Sequence, residues 1–202
     1  QRLATSAGKR LDDASPCVDA RLADGTRLHA VIPPIASRGT LISLRVPRRK
    51  AFTIDELIDT GTLRHGAAAW LRAIVQAKTA FLISGGTGTG KTSILAMMLG
   101  LVDEHERVLI VEDSGELSPT HPHLVRLEAR PPNTEGVGDV SMAQLVRQAL
   151  RMRPDRVVVG EVRGAEVVEL LTALNTGHEG GCGTIHANSA ADVPARLEAL
   201  GL

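Results

Sequence analysis

Gly85, Gly90, Lys91 and Thr92 stand in the order G-x-x-x-x-G-K-T, inside the run Gly85-Gly86-Thr87-Gly88-Thr89-Gly90-Lys91-Thr92-Ser93. Such a pattern suits the holding of phosphate. Phosphate oxygens need many donors at close range; glycines let backbone N–H groups curl round a β-phosphate, and a following helix N-terminus adds a favourable dipole. Lys91 then sets a compact charge against the β- and γ-phosphates, and Thr92 offers its hydroxyl to Mg²⁺. The flanks agree. Phe81, Leu82 and Ile83 read as a short buried strand, and Ile94, Leu95, Met97, Met98 and Leu101 recur at helical spacing. An ordinary Gly-rich turn before a core helix is the plainer alternative.

Two other runs end in acid. Arg107–Glu112 continues into Asp113-Ser114-Gly115-Glu116, and Arg156–Glu161 is followed by Arg163. Continuous β-branched runs of this kind belong in a buried parallel sheet, and ligands of an open parallel sheet gather beyond its carboxyl ends. Phosphoryl transfer needs one acid to hold Mg²⁺ or its water and another to orient the attacking water. Exposed loop charge is the alternative for any one of these residues. His178 and His186 flank the Gly-rich loop Thr176–Asn188. As metal ligands they lack a third partner at suitable spacing; near a γ-phosphate either could report nucleotide state, and a satisfied core histidine is the default for each taken alone.

These groups need a scaffold, and the chain alternates accordingly. Residues 1–50 have a β-rich texture: Val18–Leu22 and Arg27–Ile32 bound an Asp24-Gly25 hairpin signal, and Thr40–Val46 reads as another strand. The basic residues Arg45, Arg48, Arg49 and Lys50 follow, as at a solvated strand end. Thr53–Leu63 reads as a short helix and Gly turn, a connection that could act as a hinge, and Ala67–Lys78 as an Ala-rich helix. Helices are expected at Ser141–Met152, Ala165–Asn175 and Ala190–Leu200, with a brief strand at Gly183–His186. The βαβ alternation predicts an α/β domain on a largely parallel sheet. The expected division is 1–52 for the end of a β-rich first domain, 53–63 for the linker and 64–202 for the nucleotide domain.

Composition narrows the options. The 202 residues, 43% hydrophobic and 23% charged, are those of a globular chain. Two Phe, one Trp and no Tyr leave an aliphatic core and no base-stacking platform, and zero formal net charge gives no general case for nucleic acid or anionic membrane. Cys17 and Cys182 are far apart and fit reduced thiols of a cytoplasmic chain. No run is apolar enough for a membrane span. The chain reads as an excerpt of a longer polypeptide.

Together the motifs resemble the secretion ATPases of type II and type IV systems, the traffic ATPases, and among them the branch that assembles tight-adherence (Flp-type) pili. The resemblance rests on GGTGTGKT, on VEDSGEL as an Asp box, on HLVRLEARPPN, on LVRQALRMRPDRVVVGEVRG as an atypical Walker B region and on TGHEGGCGTIHANS as a His box; SPCVDARLADGTRLHAVIPP is similar to the end of that family's first domain. It implies a homohexameric ring of two-domain subunits around a RecA-like core. ATP and Mg²⁺ would be the ligands, and an inner-membrane platform protein the partner. Placement would be cytoplasmic, peripheral to the membrane, with no direct nucleic-acid contact. By position it implies Glu116 as catalytic base, Glu112 and Asp113 as support for water or metal, Glu161 as the Walker B acid reaching Mg²⁺ through water, and His178 and His186 as the His-box pair. Arg21, Arg27 and Arg45 are the matching first-domain candidates for the γ-phosphate. Gly181-Cys182-Gly183 replaces a Ser/Thr-bearing segment of the family, which implies a more mobile strand there. The expected function is ATP hydrolysis coupled to pilin assembly or export. A conjugative DNA-transfer ATPase and a nucleotide-gated scaffold with little hydrolysis are the alternatives.

Overall fold

The computed structural model describes residues 1–48, 50–132, 137–177 and 179–201. The chain divides into compact units of residues 1–49 and 50–202.

In the smaller unit β1 (Cys17–Arg21), β2 (Arg27–Val31) and β3 (Leu41–Arg45) form an antiparallel meander. Asp24 closes the first hairpin by accepting from the Thr26 N–H and hydroxyl, both at 3.0 Å. Alternation along the strands buries Val18 and Ala20 of β1 and Leu28 and Ala30 of β2, with Ala4 of α1 (Arg2–Ser6) over them. Sequence reasoning passed over α1, which is too short for a periodic signal.

The larger unit opens with α2 (Ile54–Asp59) and α3 (His65–Gln76). A reciprocal Thr53/Glu56 capping box starts α2, and Ile54 and Leu57 are buried in this unit's own core. The segment 53–63, expected as a short helix and Gly turn, holds that helix and packs its apolar face on this core. Five parallel strands follow in the spatial order β4 (Phe81–Ser84), β8 (Cys182–Ile185), β7 (Arg156–Val162), β5 (Val108–Glu112), β6 (Leu124–Glu128). The helices between them are α4 (Lys91–Leu99), α5 (Met142–Leu150) and α6 (Glu166–Asn175), with α7 (Val193–Gly201) last. β5 explains the layering. Val108 and Ile110 join the cluster containing α2, α3 and α4, whereas Leu109 and Val111 join the cluster containing α5 and α6, so the strand is apolar on both faces.

β8 lies between β4 and β7 and is buried throughout. A Cβ on Gly183 would stand 2.6 Å from the Val159 carbonyl oxygen, and one on Gly181 would meet Leu174 Cδ2 at 2.5 Å. The glycines of this segment thus provide room for close packing. At the opposite sheet end the buried Arg156 guanidinium is satisfied by Glu106 at 2.8 Å and the Val75 carbonyl at 2.7 Å, tying β7 to the end of α3. Among the described residues no helix is long and apolar enough to cross a membrane.

Gly183→Ala should lower unfolding free energy by about 1–3 kcal/mol in chemical denaturation. Gly66→Ala, in α3 with nothing within 4 Å of the added Cβ, should leave it unchanged or raise it by up to about 1 kcal/mol.

Candidate functional site

The phosphate-type loop links β4 to α4 at the carboxyl edge of the sheet. Gly90 caps α4 in the left-handed region at φ 90°, which glycine adopts without penalty. A Cβ on Gly85 would stand 2.7 Å from Thr89 Oγ1, so the loop's concave side has no room for a side chain there. Thr89 Oγ1 donates to the Gly86 carbonyl at 2.9 Å. Lys91 is buried and its Nζ donates to the Gly85 and Gly86 carbonyls at 2.9 and 2.8 Å. Thr92 and Ser93 follow in the first turn of α4. The cradle is one that a phosphate fits: backbone donors, a helix start, and a lysine held by neutral oxygens.

From Lys91 a run of contacts crosses three strands. His186, just past β8, places Nε2 3.3 Å from Lys91 Nζ and 2.7 Å from Glu161 Oε1. One ring nitrogen cannot accept from the lysine and donate to the carboxylate at once. Glu161 Oε1 is buried, and its contact with His186 Nε2 lacks hydrogen-bond geometry, so this oxygen can still take a better-aligned donor. Glu161 Oε2 accepts from Arg163 at 2.6 Å, and Arg163 reaches Asp113 Oδ2 at 3.5 Å. Burial pushes the Glu161 pKa up, but the Arg163 hydrogen bond and charge, with His186 and Lys91, outweigh it and hold it below the usual value. The Glu161 bond first, with Asp113 and Glu116 behind it, raises the pKa of Arg163, so the acids after β5 share a cation with the acid of β7.

Glu161 owes its direction to a bulge. β7 and β8 pair at Val159↔Gly183 and again at Val162↔Ile185, three residues along one strand against two along the other. Thr184 Oγ1 donates to the Gly160 carbonyl at 2.7 Å within that irregularity. Neither the bulge nor its hydroxyl tie carries a signal in the sequence.

Glu112 takes no part in this run. It is 4% exposed, and its Oε1 accepts from the N–H groups of Glu116 and Leu117, both at 2.9 Å. Where support of water or metal is expected of Glu112, the structure shows its Oε1 holding the backbone that carries Glu116. Desolvation, opposed by the two N–H bonds and by Arg126 of β6 and reinforced by Glu128 of the same strand, pushes the Glu112 pKa up to about 7. Glu166, which sequence reasoning missed, is buried at the start of α6 and accepts from the Arg163 and Gly164 N–H groups at 2.5 and 2.8 Å. Its first-turn position was the available signal.

Arg21, Arg27 and Arg45 lie in the smaller unit as direct cross-strand neighbours, one lateral row on its non-core face. Arg27 is 3.8 Å from Asp19. His178 lies outside the described residues, as does Arg49 of the basic cluster.

Residues 1–202 match the family model described as type II/IV secretion system protein. A putative conjugal transfer protein of Mycobacterium tuberculosis (strain H37Rv) is 59% identical over 100% of the chain and 59% of its own length. The conjugal transfer protein TrbB of Rhizobium radiobacter is 33% identical over 94% of the chain and 57% of its own length. The chain therefore spans little more than half of these relatives. The crystal structure of the VirB11 ATPase from the Brucella suis type IV secretion system, in complex with sulphate, superposes with a TM-score of 0.60 at 25% identity, covering 98% of this chain and 64% of that one. The fold is the RecA-like P-loop arrangement of these secretion ATPases.

The Glu112 geometry fixes a pH dependence. Unfolded, the carboxyl ionises near 4.5, and folded only near 7. The Glu112 contribution to stability should therefore be fully present below 4.5 and be lost, by on the order of 3 kcal/mol, as pH rises through about 7. Glu112→Gln should flatten this part of the profile in urea titrations run from pH 4 to 8.

Proposed function

Because the chain belongs to the type II/IV secretion system protein family, we propose that it is the ATP-hydrolysing part of a transport motor. The observation that carries the reading is the contact run Lys91–His186–Glu161–Arg163–Asp113, which joins the phosphate-type loop to the acids of two neighbouring strands. In this reading the backbone N–H groups of Gly86, Thr87, Gly88, Thr89 and Gly90 take the phosphates of ATP. Lys91 exchanges its loop carbonyls for phosphate oxygens, with Gly85 keeping the cradle open and Ser93 beside it. Thr92 and Glu161, the latter through water, would hold Mg²⁺. That ion would supply positive charge against the developing negative charge on the leaving oxygens. Glu116 orients the attacking water and accepts its proton. Arg163 holds Glu161 and Asp113 in place, and His186 senses the terminal phosphate by changing partner, with His178 as the second histidine of the His box. Arg21, Arg27 and Arg45 form a row of donors suited to an anion.

The motor would act as a homohexamer at the cytoplasmic face of the membrane, against a membrane platform protein. On cargo, the conjugal transfer names of the Mycobacterium and Rhizobium relatives support a conjugative or type IV role. The tight-adherence pilus reading rests on the sequence motifs alone.

Phosphate release by the full-length protein tests the reading. Lys91→Ala should lose nucleotide binding and turnover. Glu116→Gln and Glu161→Gln should bind ATP within about threefold of wild type, yet hydrolyse it at least about 10²-fold more slowly. A wild-type rate in Glu116→Gln would contradict the base assignment, and a wild-type protein that binds ATP without releasing phosphate would favour the scaffold alternative.

A further inference from the structure

The loops after β5 and β7, which carry acids and Arg163 to the carboxyl edge of the sheet, are each tied to a buried glutamate. After β5, Glu112 Oε1 accepts from two successive N–H groups, those of Glu116 and Leu117. Arg126 of β6 meanwhile donates to the Leu117 carbonyl at 2.6 Å, so Leu117 is held at both its N–H and its carbonyl. After β7, Glu166 Oε1 accepts from the successive N–H groups of Arg163 and Gly164. The first loop delivers Glu116, and the second delivers Arg163, the partner of Glu161 and Asp113. Both carboxylates are under 10% exposed, at 4% and 7%. The packing is shaped for the first of them: Gly160 lies beside Glu112, and a Cβ there would stand 2.7 Å from Glu112 Cγ.

We propose that Glu112 and Glu166 are paired positioning residues, each fixing through backbone N–H groups the loop that aims a reacting or charge-holding side chain, and neither touching nucleotide or water. The inference rests on the ATPase reading of the site. A single oxygen bridging two consecutive N–H groups satisfies both donors without neighbouring water and leaves the loop one conformation. A carboxylate cannot release these donors to reach a ligand without giving up two hydrogen bonds at once, and for Glu112 one of the donors belongs to the fully buried Leu117. What the geometry requires is an acceptor oxygen at the right reach, not a negative charge.

That requirement separates positioning from chemistry. Gln keeps the side-chain oxygen at the same reach; Asn keeps the amide but withdraws it by one methylene. In the full-length protein, Glu112→Asn and Glu166→Asn should lower kcat at least tenfold with KM for ATP changed less than about threefold, since the phosphate loop is untouched, and a misplacement near 1 Å can cost about 10²-fold. Glu112→Gln and Glu166→Gln should restore kcat to within a few-fold of wild type. Amide hydrogen exchange gives a second readout independent of turnover: the Glu116 and Leu117 amides should exchange at least tenfold faster in Glu112→Asn and at the wild-type rate in Glu112→Gln. A Glu112→Gln protein as slow as Glu116→Gln would make Glu112 a reacting carboxylate and overturn the proposal, as would wild-type kcat in both Asn variants. Exchange responding as stated in a wild-type protein that shows no Lys91-dependent phosphate release would instead refute the ATPase reading and leave the clamps standing.

Discussion

A lysine amine withdrawn from water must find oxygen, and in this chain it finds the carbonyls of Gly85 and Gly86. Much else follows from that arrangement. The carbonyls can turn inward because the loop is short of side chains at Gly85 and can enter α4 through the left-handed Gly90. Neutral partners leave the lysine's charge uncompensated within the loop, so it acts on Glu161 across the sheet. A carboxylate partner in the loop itself would neutralise that charge and remove the attraction for an anion.

The sheet keeps the opposing acids near this charge. β5 and β7 are parallel neighbours, apolar on both faces, and they become polar only where they leave the core. At that edge three glutamates meet different fates. Glu161 is turned by the β7 bulge towards Lys91 and His186 and is held ionised by Arg163. Glu112 is swallowed beneath its loop and pushed towards neutrality. Glu166 closes the turn into α6. Residue type alone does not distinguish them; desolvation and the identity of the donor do.

This explains what could be read in advance. The phosphate loop, the two acid-ended strands and most helices were visible because each is a local pattern: fixed glycine spacing, a continuous β-branched run, or apolar recurrence along one helix face. β6 was passed over as an element because Leu124–Glu128 is a half-exposed edge strand whose alternation is brief. Glu112 read as a site acid because it shares the motif of Glu116, and only the fold reveals that its oxygen is spent on the N–H groups of Glu116 and Leu117. Thr53–Leu63 read as a short helix, which is there, whereas the burial of its Ile54 and Leu57 depends on partners distant in the chain. The bulge that aims Glu161 arises from pairing between β7 and β8, which a single strand's sequence does not encode legibly.

The central claim is that a magnesium-bound triphosphate occupies the loop from Gly85 to Thr92 with Glu161 and Glu116 turned to its terminal group. Crystals of the full-length protein grown with Mn²⁺ and a non-hydrolysable ATP analogue, measured for manganese anomalous scattering, test it most directly. One anomalous peak is expected beside the Thr92 hydroxyl, bridged by water to Glu161, with Lys91 on the phosphates and the Glu116 carboxylate facing the terminal one. A peak elsewhere, or a bound analogue with both glutamates pointing away from it, would contradict the account.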